Sequence, residues 1–290
     1  QKITVPAALL ASPKDLAALV SCKKATLAGA AGELRMARAF TDSPPPSSRL
    51  PFSYQRIPPW VRSRIASMMG RRQRRRVETW AEFPRWPVDL SADFLADLAG
   101  QRSPFAEGPT PVILSHDLDS LEGLENLVAH FLDLEEDVGA RSANFIVPCA
   151  WKIDHGLLGQ VTARGHEVGI HGYDHSGRTS YAEAEERRRR LDGALGLIER
   201  YGITGYRSPS LIRTKALLGD LGRLYQYDSS IPTTGGLFPT PNNGCASARP
   251  FETCGILEIP LSMPRDGSLG FLGHSPGEIL QLWLDSAALI

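Results

Sequence analysis

The sequence predicts an α/β fold built on a parallel sheet. Two observations carry this: from Val112 onward short apolar runs alternate with helix-compatible stretches, and the titratable residues of interest fall directly after those runs. Strand 112–114 precedes helix 121–134, strand 143–147 precedes helix 155–163, and strand 167–171 precedes helix 182–201. Then come residues 203–206, helix 214–224, and strands around Tyr227 and at 257–260. Parallel strands joined by helices send their following loops to one end, so these residues are expected to gather on the C-terminal face of a barrel.

The helix over 182–201 places Glu183 with Arg187, Glu185 with Arg189 and Glu186 with Arg190 at a four-residue separation. Its run of arginines therefore reads as a salt-bridged surface and not as a nucleic-acid patch. Residues 1–109 differ in kind. They hold helix-compatible Ala/Leu text from Leu9 to Ala39, a Ser-Pro-Pro-Pro-Ser-Ser linker from Ser43, and a basic stretch over 61–76. In that stretch Arg62, Arg64, Arg71, Arg72, Arg74, Arg75 and Arg76 alternate with Val61, Ile65, Met68 and Met69. This suits an amphipathic helix facing anionic lipid or a charged glycan, or a solvated face packed on the barrel or on a second subunit. Trp80, Phe83 and Trp86 with Pro84 and Pro87 suit either a sugar groove or an arm docked on the core. Ser91 is the expected cap of a helix over 92–99. The chain thus divides into an N-terminal arm, 1–109, partly helical and rich in Pro and Arg, and a domain over 110–290.

With 42% apolar residues in 290, the chain has ample material for a globular core. Its 32 basic and 32 acidic residues cancel, so nothing points to nucleic acid, and a neutral glycan is a compatible partner. The cysteines, Cys22, Cys149, Cys245 and Cys254, form no Cys-x-x-Cys pair. Cys149 is expected as a small buried hydrophobe, and Cys245 and Cys254 as free thiols, with a bridge between them as the alternative in an oxidising compartment. No apolar run reaches the roughly 18 residues of a membrane span, and the visible start carries no signal peptide.

Two short segments carry the chemistry. Asp117 and Asp119 in Ser115-His116-Asp117-Leu118-Asp119-Ser120 follow the apolar run Pro111-Val112-Ile113-Leu114. Side chains two apart on a strand share a face, so one carboxylate can bind a metal while the other stays free. His171-Gly172-Tyr173-Asp174-His175 follows the run 167–170, and His175 lies one turn beyond His171 if the backbone coils there. Two imidazoles and a carboxylate leave coordination positions for water, as hydrolytic zinc sites do. Alone, an Asp pair also caps helices and a His pair also sits on solvated loops; the order and strand context of the two favour a joint site. His116 reads as a hydrogen-bonded structural residue or a substrate contact.

Gly205-Tyr206-Arg207-Ser208-Pro209-Ser210 and Tyr227-Asp228-Ser229-Ser230 complete a set of segments in a fixed order. With them the chain resembles the polysaccharide deacetylases, the carbohydrate esterase family that includes chitin, chitooligosaccharide and peptidoglycan N-deacetylases. Ala163 to His171 is similar to the approach to that family's His motif, and Leu257-Glu258-Ile259-Pro260 to a late strand; the resemblance covers roughly residues 110 to 290. It implies a distorted, incomplete (β/α) barrel of the polysaccharide deacetylase type, with seven strands. It also implies a divalent cofactor, zinc first, with cobalt, manganese or nickel as alternatives. Asp119, His171 and His175 would be the metal ligands, Asp117 the general base, and Arg207 the residue that orients it. A backbone N–H near Ser208 to Ser210 would help stabilise the oxyanion. Asp228 either tunes the acid or forms an ordinary turn. The implied reaction is release of acetate from an N-acetylated sugar or glycan.

Leu118 separates the two aspartates, a spacing found in a subset of the family that includes some peptidoglycan deacetylases and cofactor-free amidohydrolases. A hydrolase of another C–N amide, such as a cyclic ureide, and a glycan-binding module with an impaired site are therefore alternatives. The resemblance also calls for a late His as general acid. His274 is the one late candidate here. Because the chain opens at Gln1 and stops at Ile290 in helix-like text, it reads as a fragment or processed form whose acid lies further on. Homo-oligomer formation or membrane-surface contact through 61–76 stays open, as does the choice between cytoplasm and cell envelope.

Overall fold

The computed structural model describes residues 24–37, 39–41, 44, 49–50, 57–80, 89–101, 111–233, 244–288 and 290. Seven strands form one sheet: β1 (Leu114–Leu118), β2 (Ser142–Ile146), β3 (Glu167–Ile170), β4 (Gly205–Tyr206), β5 (Tyr227–Asp228), β6 (Phe251–Thr253) and β7 (Ile256–Glu258). Their order is β1-β2-β3-β4-β5-β7-β6, parallel throughout except for the antiparallel β6–β7 pair. The α/β class and the strand number are those expected. The sheet is not closed into a barrel, since β1 and β6 remain its two edges.

The helices are α1 (Lys24–Ala37), α2 (Pro59–Trp80), α3 (Ser91–Leu98), α4 (Leu121–Asn126), α5 (Leu132–Asp137), α6 (His155–Ala163), α7 (Ala184–Asp192), α8 (Leu195–Tyr201), α9 (Lys215–Leu221), α10 (Asp266–Phe271) and α11 (Pro276–Ala287). Local chemistry sets several starts. Ser120 accepts from Gly123 N at 3.2 Å, Asp154 from Gly156 N at 2.8 Å and Leu157 N at 3.0 Å, and Thr214 from Leu217 N at 3.1 Å. Ser275 and Glu278 form a capping box at α11. Strand residues Leu118, Ile146, Ile170 and Tyr206 pack against Leu124, Leu158, Val161, Leu191, Leu217 and Leu221 from the helices, making one principal core.

Several local expectations give way to burial. Strand β1 begins at Leu114 and not at Val112, because Val112 is 82% and Ile113 60% exposed. The helix expected over 182–201 is two helices that meet at Gly193 and Ala194, where a Cβ on Gly193 would lie 2.7 Å from the Tyr173 ring. Arg187 turns inward to Asp220 at 2.7 Å and not to Glu183, while Arg189 and Arg190 share Glu186. Ser91 is the first residue of α3 and not its cap; the cap position is Leu90, which makes no side-chain cap bond, while Asp89 Oδ1 accepts from Ser91 N at 3.0 Å. Cys149 is exposed, and Cys245 and Cys254 are free thiols. The β6 strand was not anticipated.

The described segments before residue 102 pack against one another and against the later part of the chain. Leu27 and Ala31 of α1 meet Leu95 and Ala96 of α3, and Ala39 inserts among Leu218, Ile231, Cys245 and Phe251. Helix α2 crosses α10 at Gly70, where a Cβ would stand 2.0 Å from the Phe271 carbonyl oxygen. Ile65, Met68 and Met69 stay exposed, so the apolar stripe of this basic helix is not the packed face. The aromatic side chains of Trp80, Phe83 and Trp86, and those of Arg74 to Arg76, lie outside the described residues. Among the described residues no helix is long and apolar enough to cross a membrane.

Arg213 locks this arrangement. It is 1% exposed, and its guanidinium donates to Ala39 O at 2.6 Å and Leu211 O at 2.7 Å. Burial pulls its pKa down to about 10, so it is charged at neutral pH. Replacing Arg213 with Ala is expected to lower unfolding free energy by about 3 kcal/mol, since buried acceptors are then orphaned. Urea unfolding checks this; an unchanged midpoint and slope would mean that Arg213 locks nothing.

Candidate active site

The site assembles at the C-terminal ends of β1, β3 and β4. Leu118 turns into the core at 4% exposure, so Asp117 and Asp119 project together from the other side of β1. His171 follows β3 directly, and its backbone N donates to Ile146 O at 2.6 Å. Its ring Nδ1 lies 3.0 Å from the Arg207 carbonyl. A carbonyl only accepts, so Nδ1 carries the proton and the Nε2 lone pair faces the site. His175 arrives without the helical turn the sequence suggested. The loop instead bends through left-handed residues, Gly172 at φ +71°, His175 at φ +56° and Gly177 at φ +70°. Gly172 is required there, because a Cβ would stand 2.5 Å from the Pro209 ring. A non-glycine residue at φ +56° costs on the order of 1 kcal/mol, strain of the kind that collects at functional sites.

Asp119 Oδ1 is 3.1 Å from His175 Nε2 and 3.6 Å from His171 Nε2. One donor atom from each of the three lies within 4.8 Å of the others. This donor set fits a divalent ion of zinc's type. Burial pushes the His171 pKa down against the pull of Asp117 and Asp119, leaving the neutral ring that a metal needs. Burial would raise the Asp119 pKa, but the hydrogen bond with His175 and the two neighbouring imidazoles outweigh it and lower it.

Asp117 stands beside this group, its Oδ2 3.8 Å from His171 Nε2. Arg207 Nη1 donates to Asp117 Oδ1 at 3.0 Å, Nη2 to Ser115 Oγ and Ser229 Oγ at 3.0 Å each, and Nε to Ser229 O at 3.1 Å. The guanidinium also lies 4.2 Å from the Phe145 ring centroid. Burial works to raise the Asp117 pKa, yet the neighbouring His171 ring and the Arg207 and Arg265 guanidinium groups hold it well below the carboxylate range. Asp117, Asp119, His171, His175 and Arg207, all expected from the sequence, therefore converge.

The other candidates fare differently. Ser208 N–H is committed to Ser230 Oγ at 2.8 Å, and Pro209 has no N–H, so Ser210 is the one residue of 208–210 whose N–H remains for an oxyanion. Asp228 is fully buried and accepts from Ser230 Oγ at 2.6 Å. His274 lies on the turn before α11, its Nδ1 4.0 Å from Glu278 Oε2. His116 Nε2 is 2.5 Å from Glu135 Oε1, the structural pairing. Two residues the sequence reading did not single out belong here. Arg265 brings Nη1 to 3.7 Å from Asp117 Oδ2, and Glu258 is the cross-strand neighbour of Asp228. Only folding joins them to the motif residues.

No family model matches the chain, and no curated protein sequence matches it. Solved structures do. One is a Mycobacterium smegmatis protein assigned as a polysaccharide deacetylase, at 18% identity, 61% of this chain, 71% of that chain and a TM-score of 0.44. Another is the Streptococcus pyogenes deacetylase PplD, solved with acetate, at 14% identity, 57% of this chain, 73% of that chain and a TM-score of 0.40. A third is the Xyl-CE4 domain of a multidomain xylanase from the hindgut metagenome of Trinervitermes trinervoides, at 17% identity, 39% of this chain, 53% of that chain and a TM-score of 0.31.

Asp228 and Glu258 form a buried carboxyl pair. Ile231 N donates to Glu258 Oε1 at 2.8 Å, while Oε2 is buried without a donor. Burial, then the neighbouring Asp228 charge, raises the Glu258 pKa well above 4.5, and burial also raises that of Asp228. A proton on Glu258 Oε2 shared with Asp228 satisfies both. The folded state then holds a proton that the unfolded chain releases. This contribution to stability is fully present below about pH 4.5 and is lost as pH rises toward the folded pKa, at up to about 1.4 kcal/mol per pH unit. In Glu258→Gln the amide replaces the proton, so its stability relative to wild type should grow from pH 5 to pH 8. Parallel stability curves over that range would disprove the shared proton.

Proposed function

We propose that the chain is a metal-dependent hydrolase that removes N-acetyl groups from an amino sugar or glycan, with residues 110–290 as catalytic domain and 1–109 as an arm docked on it. The observation that carries this reading is the convergence of Asp119, His171 and His175 donor atoms within 4.8 Å, with Asp117 held beside them by Arg207. The segment resemblance, from the Asp pair through Tyr227-Asp228-Ser229-Ser230, supports the acyl substrate.

Asp119, His171 and His175 would hold the ion. A divalent cation supplies polarisation there, lowering the pKa of water from 15.7 to about 7. Asp117 accepts the water proton as the oxygen attacks the acetyl carbon. Arg207 keeps that carboxylate ionised and fixes its direction, so the basic oxygen is presented in one orientation. The buried Asp228–Glu258 pair acts through Ser230 and Ser208 on the backbone that carries Arg207, and is a positioning group.

Metal analysis and turnover of tri-N-acetylchitotriose test the reading together. About one zinc per chain is expected, lost in His171→Ala and His175→Ala. Asp117→Asn should keep the metal while turnover falls by a factor on the order of 10² to 10⁴. Full metal content in both histidine variants would remove the ligand set, and hydrolysis of cyclic ureides without acetate release would replace the substrate class.

A further inference from the structure

Two arginines face Asp117, and they do so differently. Arg207 is 4% exposed, and each of its nitrogens has a protein partner. Four of its five N–H groups are committed to protein acceptors. Arg265 has a side chain 23% exposed, and its Nη1 stands 3.7 Å from Asp117 Oδ2, beyond hydrogen-bond reach. Its Nε–H is buried and meets no acceptor. A buried donor left unmade is costly, so an arginine held this way is suited to an acceptor that arrives during function.

The backbone that carries Arg265 is also held in place from behind. The Pro264 carbonyl accepts from Trp283 Nε1 of α11 at 2.7 Å, and the Arg265 carbonyl accepts from Leu269 N at 3.1 Å as α10 begins. The carboxylate edge that it approaches is Oδ2, the oxygen near His171 Nε2, whereas Oδ1 belongs to Arg207. Arg265 therefore points to the side of Asp117 where an acyl group would be attacked. After β4 the Ser208 N–H is already committed to Ser230 Oγ, which leaves Ser210 as the one backbone donor of 208–210.

We propose that Arg265 contacts the acyl group under attack and stabilises the oxyanion of the tetrahedral intermediate, as a catalytic residue of the hydrolysis proposed above, on which this rests. In the addition step water gives one proton to Asp117, its oxygen bonds to the acyl carbon, and the carbonyl π pair moves onto the carbonyl oxygen. In the collapse that pair re-forms C=O, the C–N bond breaks, and the proton on Asp117 passes to the leaving nitrogen. The products are a free amine and acetic acid, which ionises. The guanidinium keeps its protons throughout, so its part is electrostatic, applied where negative charge develops.

The test compares zinc-loaded wild type, Arg265→Ala and Arg265→Lys, with tri-N-acetylchitotriose as substrate and acetate as a binding probe in calorimetry. Arg265→Ala is expected to keep its zinc and its Tm, to lose about 10²-fold in kcat with KM nearly unchanged, and to bind acetate about tenfold more weakly. Arg265→Lys should recover part of both losses. A kcat and an acetate affinity within about twofold of wild type would overturn the assignment, as would a loss confined to KM. If Arg265→Ala fails to fold, Arg265→Lys and Arg265→Gln carry the same comparison. A wild type inert toward chitotriose would sink the deacetylase reading by itself; the acetate arm still reads Arg265, and absent or unchanged acetate binding counts against it.

Discussion

The arrangement depends on Arg207, a buried guanidinium that ties the C-terminal ends of β1 and β5 to its own strand, β4. Its partners Ser115 and Asp117 come from β1 and Ser229 from the end of β5, while its own carbonyl holds the His171 ring after β3. A buried cation is tolerable only when its donors are matched and its charge is balanced, and Asp117 supplies that balance. The same contact that makes Arg207 affordable in the interior makes Asp117 a fixed, ionised carboxylate. Strand packing prepares the seat. Phe145 of β2 lies under the guanidinium, and Gly169 of β3 leaves room for that ring, since a Cβ there would stand 2.5 Å from it.

The ligand group is built on a different principle. Asp119 and His171 extend from strand ends, whose positions the sheet determines, but His175 is carried by a loop with repeated left-handed residues. The Nδ1 hydrogen bond to a backbone carbonyl sets the His171 tautomer and ring direction in advance. Asp119 remains 48% exposed, so the group opens to solvent on one side, where water and an acyl substrate can enter. Burial is therefore graded across the site: complete at Asp228 and Glu258, nearly so at Arg207 and His171, and partial at Asp117, Arg265 and Asp119.

Legibility in the sequence followed the range of the interaction. Asp117, Asp119, His171 and His175 were readable because short segments after apolar runs carry them, and Arg207 because its segment belongs to the same ordered set. The parallel sheet was readable from β2 and β3, whose apolar text is buried as expected. Strand β1 was misjudged at its start because an apolar run is not evidence of burial, and Val112 and Ile113 face solvent. Arg187 was assigned to Glu183 by helical spacing, whereas tertiary packing gave it Asp220. Local spacing has no access to such a partner. Glu258 was seen only as part of a strand and Arg265 not at all, because each acquires its meaning from a carboxylate far away in the chain.

In the proposed site Asp119, His171 and His175 would share one cation while Asp117 stays unliganded beside it. Anomalous diffraction at the zinc edge from zinc-soaked crystals tests this directly. One strong peak is expected at about 2.0 to 2.2 Å from Asp119 oxygen and from both imidazole Nε2 atoms, with Asp117 oxygens outside bonding distance and still paired to Arg207. A peak bound by Asp117, or no peak among these residues with zinc ordered elsewhere, would contradict it.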